Sequence, residues 1–391
     1  MEYVSDVLKQ LIKNKTAVGI SCIVNHEGKE IYRGCFGYAD KDKQTPFEYS
    51  TICRIYSMTK IVTATVAMKL YERGLFRLED PVKMYLPAFK NTKIVEDIGG
   101  GIIKEVPARK NIKMRHLLSM MVGIPYYNIQ DPKSSYVTGK LLEITKEMYK
   151  DQNAGNPWKL QQLAEAFSNV PMQYEPGEGW TYGVSADILG AALEVISGKP
   201  LGQLYKEEIF EPLGLKDTHF IVPEEKRSRL AVVYDHSGGE IKEYVNRWLP
   251  IEYTPGLFSG GAGLYSTIED YSRFLQMLAN GGTLDGARIL GRKTIENMTQ
   301  NHVPFDILKA SKAHYFANND YGYGYLVSVK TDNTITRCYE SIGSYWWGGV
   351  AGTIARVDPV EHLTTTIFMQ HHSADQDSYV GHIMQAVYAM L

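Results

Sequence analysis

The chain has 391 residues, of which 44% are hydrophobic and 22% are charged, an ordinary balance for a globular protein. This length allows a sizeable core and, as a prior, about two to three domain-sized units. The net charge of −2 argues against a nucleic-acid partner, and no apolar run is long enough to span a membrane. The opening MEYVSDVLKQLIKNK predicts a mixed-charge amphipathic helix rather than a signal peptide, so we expect a cytoplasmic protein with no membrane partner.

The four cysteines are too scattered for a metal site, and we expect neither a metal nor a cofactor. Cys22 and Cys35 fall on two neighbouring predicted strands and could meet. Reduced cysteines are the favoured interpretation for a cytosolic chain, but the pattern leaves this pairing open.

The N-terminal third begins with the amphipathic helix, and residues 17–40 then predict a β-hairpin around the turn NHEGK. A long apolar helix follows from Ser57 to about Gly74. From about residue 76 to residue 260 the apolar spacing is mostly helical. Another helix opens at Thr267, with Asp270 in capping position and Gly281 as its stop.

The C-terminal part changes to strand patterns in YGYLVSVK, TRCYESIG, GGVAGTIARV and HLTTTIFMQ, before a last helix. Short strand sets at both ends of the chain bury their faces only if they share one sheet. We therefore predict an α+β fold: an antiparallel sheet built from both chain termini, flanked by helices, with a mostly helical lobe inserted. A single domain, 1–391, would comprise an α/β lobe (1–75 plus 261–391) and a helical lobe (76–260), with a site in the cleft between them.

Ser57 and Lys60, in YSMTK, stand at the start of the long apolar helix. Residues three apart share a helix face, so the Lys60 amine can reach the Ser57 hydroxyl. Burial lowers the pKa of a lysine, and a neutral amine can accept a serine proton. The pair therefore predicts an activated serine nucleophile.

The segment RIYSMTKIVTATVAMKLYERGLFRLEDPVKMYLP resembles the nucleophile region of the serine β-lactamase and penicillin-binding-protein superfamily. Within it, the chain is most similar to class C β-lactamases and family VIII carboxylesterases. The segments RHLLSMMVGIPY, YEPGEGWTYGVSADILG, IFEPLGLKDT, GGAGLYSTIEDYSRFLQML and WWGGVAGT extend the similarity over nearly the whole chain. The resemblance implies the β-lactamase/transpeptidase-like fold and catalysis through an acyl-enzyme.

The resemblance also implies roles for the matching residues. Tyr182 matches the tyrosine that shares proton transfer with the lysine, and beside an ammonium we expect its pKa to be depressed. Trp347, Gly348 and Gly349 match the strand that lines the cleft opposite the serine, where paired glycines suggest close approach of a ligand. The backbone N–H groups of Ser57 and Val350 would then form an oxyanion hole.

Two positions depart from the β-lactamase pattern. Val184 replaces an asparagine that engages a substrate amide, and Trp347 replaces a lysine that engages a substrate carboxylate. Both polar side chains are therefore missing, and WGG at residues 347–349 resembles the esterase branch, which favours neutral esters. Further candidates for the substrate pocket wall are the aromatic residues Tyr126, Trp346 and Phe258.

The sequence thus predicts a serine hydrolase that forms an acyl-enzyme on Ser57, most simply a carboxylesterase acting on small acyl esters. Three alternatives stay open: a β-lactamase, D,D-peptidase or D-aminopeptidase; an acyltransferase; and a penicillin-binding sensor that is acylated without turnover. The expected partner is a small-molecule ester or amide, and the expected state is a monomer or weak homo-oligomer.

Overall fold

The structure, a computed structural model, describes residues 2–127, 129–235, 240–244, 257–311, 313, 320–333, 339–372 and 376–391. Its strands are β1 Gly19–His26, β2 Lys29–Asp40, β3 Thr45–Pro46, β4 Cys53–Arg54, β5 Lys93–Asp97, β6 Ile103–Pro107, β7 Tyr234–Asp235, β8 Lys242–Glu243, β9 Tyr265–Ser266, β10 Thr283–Leu284, β11 Ala287–Arg288, β12 Tyr321–Tyr323, β13 Ser328–Lys330, β14 Tyr345–Gly349, β15 Thr353–Asp358, β16 Leu363–Met369 and β17 His371–His372. Its α-helices are α1 Glu2–Lys13, α2 Thr59–Glu72, α3 Met114–Leu118, α4 Pro132–Asn153, α5 Leu160–Ser168, α6 Ser185–Ser197, α7 Leu201–Tyr205, α8 Glu211–Leu213, α9 Ile268–Ala279, α10 Arg292–Met298, α11 Phe305–Ala310 and α12 Gln376–Tyr388.

The main sheet has eight strands in the order β12-β13-β14-β15-β16-β1-β2-β3, and every neighbouring pair is antiparallel. The strand β1, near the N-terminus, pairs with β16, near the C-terminus, so the two ends of the chain close one sheet. This confirms the predicted α+β fold with its antiparallel sheet from both termini. The exact lobe boundaries stay a prediction.

Alternating side chains of the sheet bury two separate cores. Cys22 lies on the face covered by α1 and α12, whereas Ile23 joins the large core that includes α2 and α9. The register pairs Cys22 with Gly34 and Cys35 with Ser21, so the two cysteines point to opposite faces. Both are free, which answers the question that their strand positions left open.

The C-terminal strand pattern was predicted only in part. YGYLVSVK is not one strand: it contains the last residue of β12, a turn from Gly324 to Val327 and then β13. The turn closes with a 2.9 Å hydrogen bond, and Leu326 in it takes a φ of +59°. In TRCYESIG, residues 336–338 lie outside the described residues, and residues 339–343 form an irregular segment with a turn instead of the predicted strand. Tertiary contacts decide such short elements more than local propensity does.

The helices expected near the site are present. The helix α2 is buried on nearly every side, and Thr267 caps α9 by accepting a hydrogen bond from the N–H of Asp270. Gly281, with a φ of +71°, follows the end of α9 as expected. In the part of the chain that the structure describes, no helix has both the length and the apolar character needed to cross a membrane.

Candidate active site

Ser57 lies in a short 3₁₀ turn, Tyr56–Met58, between β4 and α2, and its side chain is half-buried. Tyr56 precedes it with a φ of +42°, a left-handed conformation that costs a non-glycine residue about 1–2 kcal/mol. The buried Tyr56 ring packs against Val233 and Ala351. This packing holds the strained turn, a feature that the sequence did not reveal.

Lys60 lies in the first turn of α2 and has no exposed surface. Its Nζ lies 3.2 Å from the Ser57 Oγ, 3.2 Å from the Tyr126 hydroxyl and 2.8 Å from the Gly261 carbonyl oxygen. These oxygens can satisfy the amine whether it is charged or neutral.

Burial lowers the pKa of Lys60 to about 7, and the charge of Asp187 opposes this shift. An amine with this pKa is substantially neutral near pH 7 and can take up a proton. The predicted contact between Ser57 and Lys60 therefore has the electrostatics that a general base requires.

The Tyr182 hydroxyl donates a hydrogen bond of 2.7 Å to the Ser57 Oγ and accepts one of 3.2 Å from the indole Nε1 of Trp347. Burial raises the pKa of Tyr182 to about 12, although these two hydrogen bonds oppose the rise. The expected depression of this pKa was wrong, because loss of solvent outweighs the hydrogen bonds to the phenol. Tyr182 is therefore a neutral hydrogen-bond donor at physiological pH.

These contacts define a consistent arrangement of protons around Ser57 when Lys60 is neutral. Two N–H groups of the amine point to the Tyr126 hydroxyl and the Gly261 carbonyl, which leaves the nitrogen lone pair for the Ser57 O–H. The second partner of the Ser57 oxygen is the Tyr182 O–H. The hydroxyl is thus poised to lose its proton to Lys60.

Asp187 is a buried carboxylate that sequence analysis did not single out. It lies in the first turn of α6, where the positive end of the helix dipole favours a negative charge. Its oxygens accept hydrogen bonds from the Tyr126 hydroxyl at 3.2 Å, from the Gly261 N–H at 3.1 Å and from Ser259. The available signal was one acidic residue at the start of the apolar run ADILGAALEVI.

Tyr126, expected only as a pocket wall, contacts Lys60 directly and packs edge-on against the Tyr182 ring at 5.5 Å. Val184 is 2% exposed and its backbone N–H donates to the Ile124 carbonyl at 3.3 Å. Tyr126 and Val184 together line a cavity beside the Lys60 network.

The strand β14 passes beside the Ser57 turn. Trp347 is 3% exposed, so its indole ring packs within the protein, and its N–H donates a hydrogen bond to the Tyr182 hydroxyl. A Cβ at Gly349 would lie 2.4 Å from the Ile55 carbonyl oxygen. Close approach of the backbone, rather than of a ligand, therefore explains this glycine.

Gly348 also lies in β14, opposite Ile354, and Val350 begins the turn into β15 with its residue 47% exposed. The Thr353 hydroxyl donates to the Ile55 carbonyl at 3.2 Å, which ties this turn to the chain just before Ser57. The oxyanion-hole role of the Ser57 and Val350 N–H groups stays a prediction.

Two predicted wall residues line cavities other than the one beside Tyr126. Trp346, on the opposite face of β14 from Trp347, lines a small cavity with Arg356 and with Tyr388 of α12. Phe258 packs against Phe220 and lines a separate cavity near α7 and α8. The Trp346 ring also stacks on that of Trp347 at 5.9 Å, whereas Phe258 has no described contact with the Ser57 network. Contact of either residue with a substrate stays a prediction.

Comparisons with known proteins identify the family of the chain. Residues 4–386 match the family model described as Beta-lactamase. Protein Rv1367c of Mycobacterium tuberculosis (strain ATCC 25618 / H37Rv) is 30% identical over 342 residues, which cover 86% of this chain and 81% of that protein. Esterase EstB of Burkholderia gladioli is 27% identical over 365 residues, which cover 88% of this chain and 84% of that protein.

Among solved structures, the hydrolase EstCE1, described as having promiscuous acyltransferase activity, superposes with a TM-score of 0.79. It is 24% identical, and the match covers 99% of this chain and 98% of that chain, so it supports the fold alone. The match of the family model to nearly the whole chain shows the relationship directly: this chain belongs to the Beta-lactamase family.

Proposed function

We propose that this protein is a serine carboxylesterase that cleaves small neutral esters through an acyl-enzyme on Ser57. One observation carries the proposal: the Ser57 Oγ lies 3.2 Å from the Lys60 amine and 2.7 Å from the Tyr182 hydroxyl. The pKa of Lys60, lowered to about 7 by burial, suits a base working near neutral pH. The similarity to esterase EstB is consistent with this activity.

In the first step, the Ser57 O–H bond breaks and its proton moves to the lone pair of Lys60. The Ser57 oxygen forms a bond to the ester carbonyl carbon, and the carbonyl oxygen becomes an oxyanion held by the N–H groups of Ser57 and Val350. The intermediate then expels the alcohol oxygen, which takes a proton from Tyr182. The Lys60 ammonium then gives up the proton that it took from Ser57, which returns Tyr182 to the neutral phenol and Lys60 to the neutral amine.

In the second step, a water molecule attacks the acyl-enzyme. Lys60, neutral again, takes a proton from that water, and its ammonium gives this proton to the Ser57 oxygen when the bond from Ser57 to the acyl carbon breaks and the acid leaves. An alcohol in place of water would give acyl transfer instead of hydrolysis. The 28% identity over 279 residues to the acyltransferase calJ of Penicillium decumbens is consistent with this second candidate.

The expected preference for neutral esters rests on Val184 and Trp347. The Val184 side chain has no polar group, and the indole N–H of Trp347 already donates to Tyr182, so neither offers a partner to the amide or the carboxylate of a penicillin. Loss of one hydrogen bond to a charged group costs about 1.5–3 kcal/mol, or about one to two decades in specificity. We therefore expect kcat/KM for short-chain nitrophenyl esters to exceed that for benzylpenicillin by at least about two decades.

The test is a panel of nitrophenyl esters, D-amino-acid amides and a chromogenic cephalosporin, followed through burst and steady state, with and without an alcohol acceptor. Ser57→Ala is the control and should lose roughly three to six orders of magnitude in kcat. A fluorophosphonate probe should modify the Ser57 peptide. Penicillin turnover comparable with the best ester would overturn the ester assignment, and a burst without turnover would support an acylated sensor.

A further inference from the structure

A cavity of about 370 Å³ lies next to the Lys60 network and has no place in the catalytic steps described above. The helix α4 contributes Leu141, Thr145 and Met148 to its wall, and α5 contributes Leu163 and Phe167. Its size falls in the range of small-molecule sites, about 300–1,000 Å³. Most of these side chains are aliphatic or aromatic, so the cavity favours an apolar occupant.

The cavity shares its remaining wall with the candidate active site. Tyr126, Val184 and Asp187 all line it. The Tyr126 hydroxyl is 3.2 Å from the Lys60 Nζ, which itself is 3.2 Å from the Ser57 Oγ. Tyr126 therefore belongs both to the cavity wall and to the hydrogen-bond network of Lys60 and Ser57.

We propose that this cavity binds the acyl chain of the ester substrate, so that the enzyme prefers medium-length aliphatic acyl groups over acetyl. The proposal rests on the esterase function proposed above. The carbonyl carbon would bond to Ser57, and the alkyl tail would pass Tyr126 and lie between α4 and α5. An alkyl chain has no hydrogen-bonding group to satisfy, so it suits the apolar wall that Leu141, Leu163 and Phe167 provide.

The first experiment measures kcat/KM for nitrophenyl esters from acetate to dodecanoate. Burial of each added methylene should raise kcat/KM about fourfold until the chain fills the cavity, after which the value should level off or fall. A profile that falls steadily from acetate would overturn the proposal.

The second experiment fills the cavity. Thr145 is half-buried in its wall, whereas the next residue, Lys146, is exposed and does not line it. Thr145→Trp should lower the ratio of the hexanoate to the acetate kcat/KM about tenfold or more, and the matched control Lys146→Trp should keep the wild-type ratio. Equal ratios in the two variants would overturn the proposal.

A third variant acts in the opposite direction and guards against a folding defect in Thr145→Trp. Leu142 is half-buried in the same wall, and Leu142→Ala enlarges the cavity. It should move the best chain length to a longer ester, a change that general destabilisation does not produce. An unchanged optimum in a folded Leu142→Ala would count against the acyl-chain site.

Labelling of Ser57 by fluorophosphonates that differ only in alkyl-chain length separates this inference from the proposed function. If no probe labels Ser57 and no ester is cleaved, the esterase function itself fails. If labelling and cleavage occur but their rates do not follow chain length, only the cavity assignment fails.

Discussion

Asp187 supports Lys60 without a hydrogen bond to its amine. One carboxylate oxygen of Asp187 accepts from the Tyr126 hydroxyl and the other accepts from the Gly261 N–H. The Tyr126 hydroxyl and the Gly261 carbonyl are two of the three partners of the Lys60 Nζ. Asp187 is thus a positioning residue, and its negative charge also raises the pKa that burial lowers.

The first prediction concerns pH. Only the neutral form of Lys60 can accept the Ser57 proton, so kcat/KM should rise with pH through about 7, the pKa of the buried amine, and then reach a plateau. Removing the negative charge in Asp187→Asn destabilises the ammonium, so the rise should move to lower pH. The measurement is the pH profile of kcat/KM for a nitrophenyl ester.

The control for that profile is Glu194→Gln, which removes a carboxylate from the same helix, α6. Glu194 bonds to Gln161 and to the Leu201 N–H and has no described contact with Lys60. Its profile should match the wild type. If Asp187→Asn lowers activity without moving the rise, the role of Asp187 is structural and not electrostatic.

The second prediction concerns Lys60 and Tyr182 as a pair. Both contact the Ser57 oxygen, so Lys60→Ala and Tyr182→Phe should each abolish most of kcat. The double variant should lose little more than the worse single variant, because groups that transfer one proton act as a unit. Losses that multiply in the double variant would indicate that Tyr182 only packs near the site.

The third prediction concerns Trp347. Trp347→Phe removes the indole N–H that donates to the Tyr182 hydroxyl but keeps an aromatic ring in this buried position. A neutral hydrogen bond contributes about 0.5–1.5 kcal/mol, so kcat should fall roughly 2- to 12-fold with little change in KM. A large rise in KM instead would mean that Trp347 contacts the substrate and does not act by positioning the Tyr182 hydroxyl.

The burial of Trp347 also argues against gaining β-lactamase activity through a single substitution at this position. Trp347→Lys would put an ammonium where a 3% exposed indole now lies, and an unpaired buried charge is costly. We expect this variant to lose thermal stability without a gain in penicillin hydrolysis. Measurement of Tm beside the penicillin rate checks both parts.

The fourth prediction concerns Gly349. An added Cβ would come within 2.4 Å of the Ile55 carbonyl oxygen and 2.3 Å of the Thr353 hydroxyl oxygen. Gly349→Ala should therefore displace the chain before Ser57, destabilise the protein by about 1–3 kcal/mol and reduce ester hydrolysis. Urea unfolding and kcat measure the two effects.

Gly381 offers the matched control. It lies in α12, and a Cβ there would meet no atom within 4 Å. Gly381→Ala should leave activity intact and stabilise the protein by about 0.5–1 kcal/mol, because alanine favours a helix more than glycine does. Equal behaviour of the two variants would contradict the close packing at Gly349.

Local sequence was enough to predict the contact between Ser57 and Lys60. Ser57 and Lys60 are three residues apart at the start of an apolar helix, and that spacing alone brings their side chains together. Segments at both ends of the chain have the two-residue period of β-strands, and such short strands bury a face only when they share one sheet. Tyr182 followed from the family resemblance, and its hydroxyl indeed contacts the Ser57 oxygen.

Other features depend on contacts between residues far apart in the chain, which no local pattern encodes. The Lys60 amine bonds to Gly261, 201 positions away, and Trp347 bonds to Tyr182, 165 positions away. The expected depression of the Tyr182 pKa was wrong, because the degree of burial, which sets the cost of a phenolate, exists only in the folded chain.

Periodicity and short spacing therefore predicted the fold and the contact between Ser57 and Lys60, since both act through the helix and strand geometry of neighbouring residues. The tertiary structure was needed for the pKa shifts of Lys60 and Tyr182, for the contacts of Asp187 with the partners of Lys60, for the hydrogen bond from Trp347 to Tyr182, and for the cavity beside Tyr126. Each of these depends on which distant side chains exclude water from one another, and water exclusion is a property of the packed molecule.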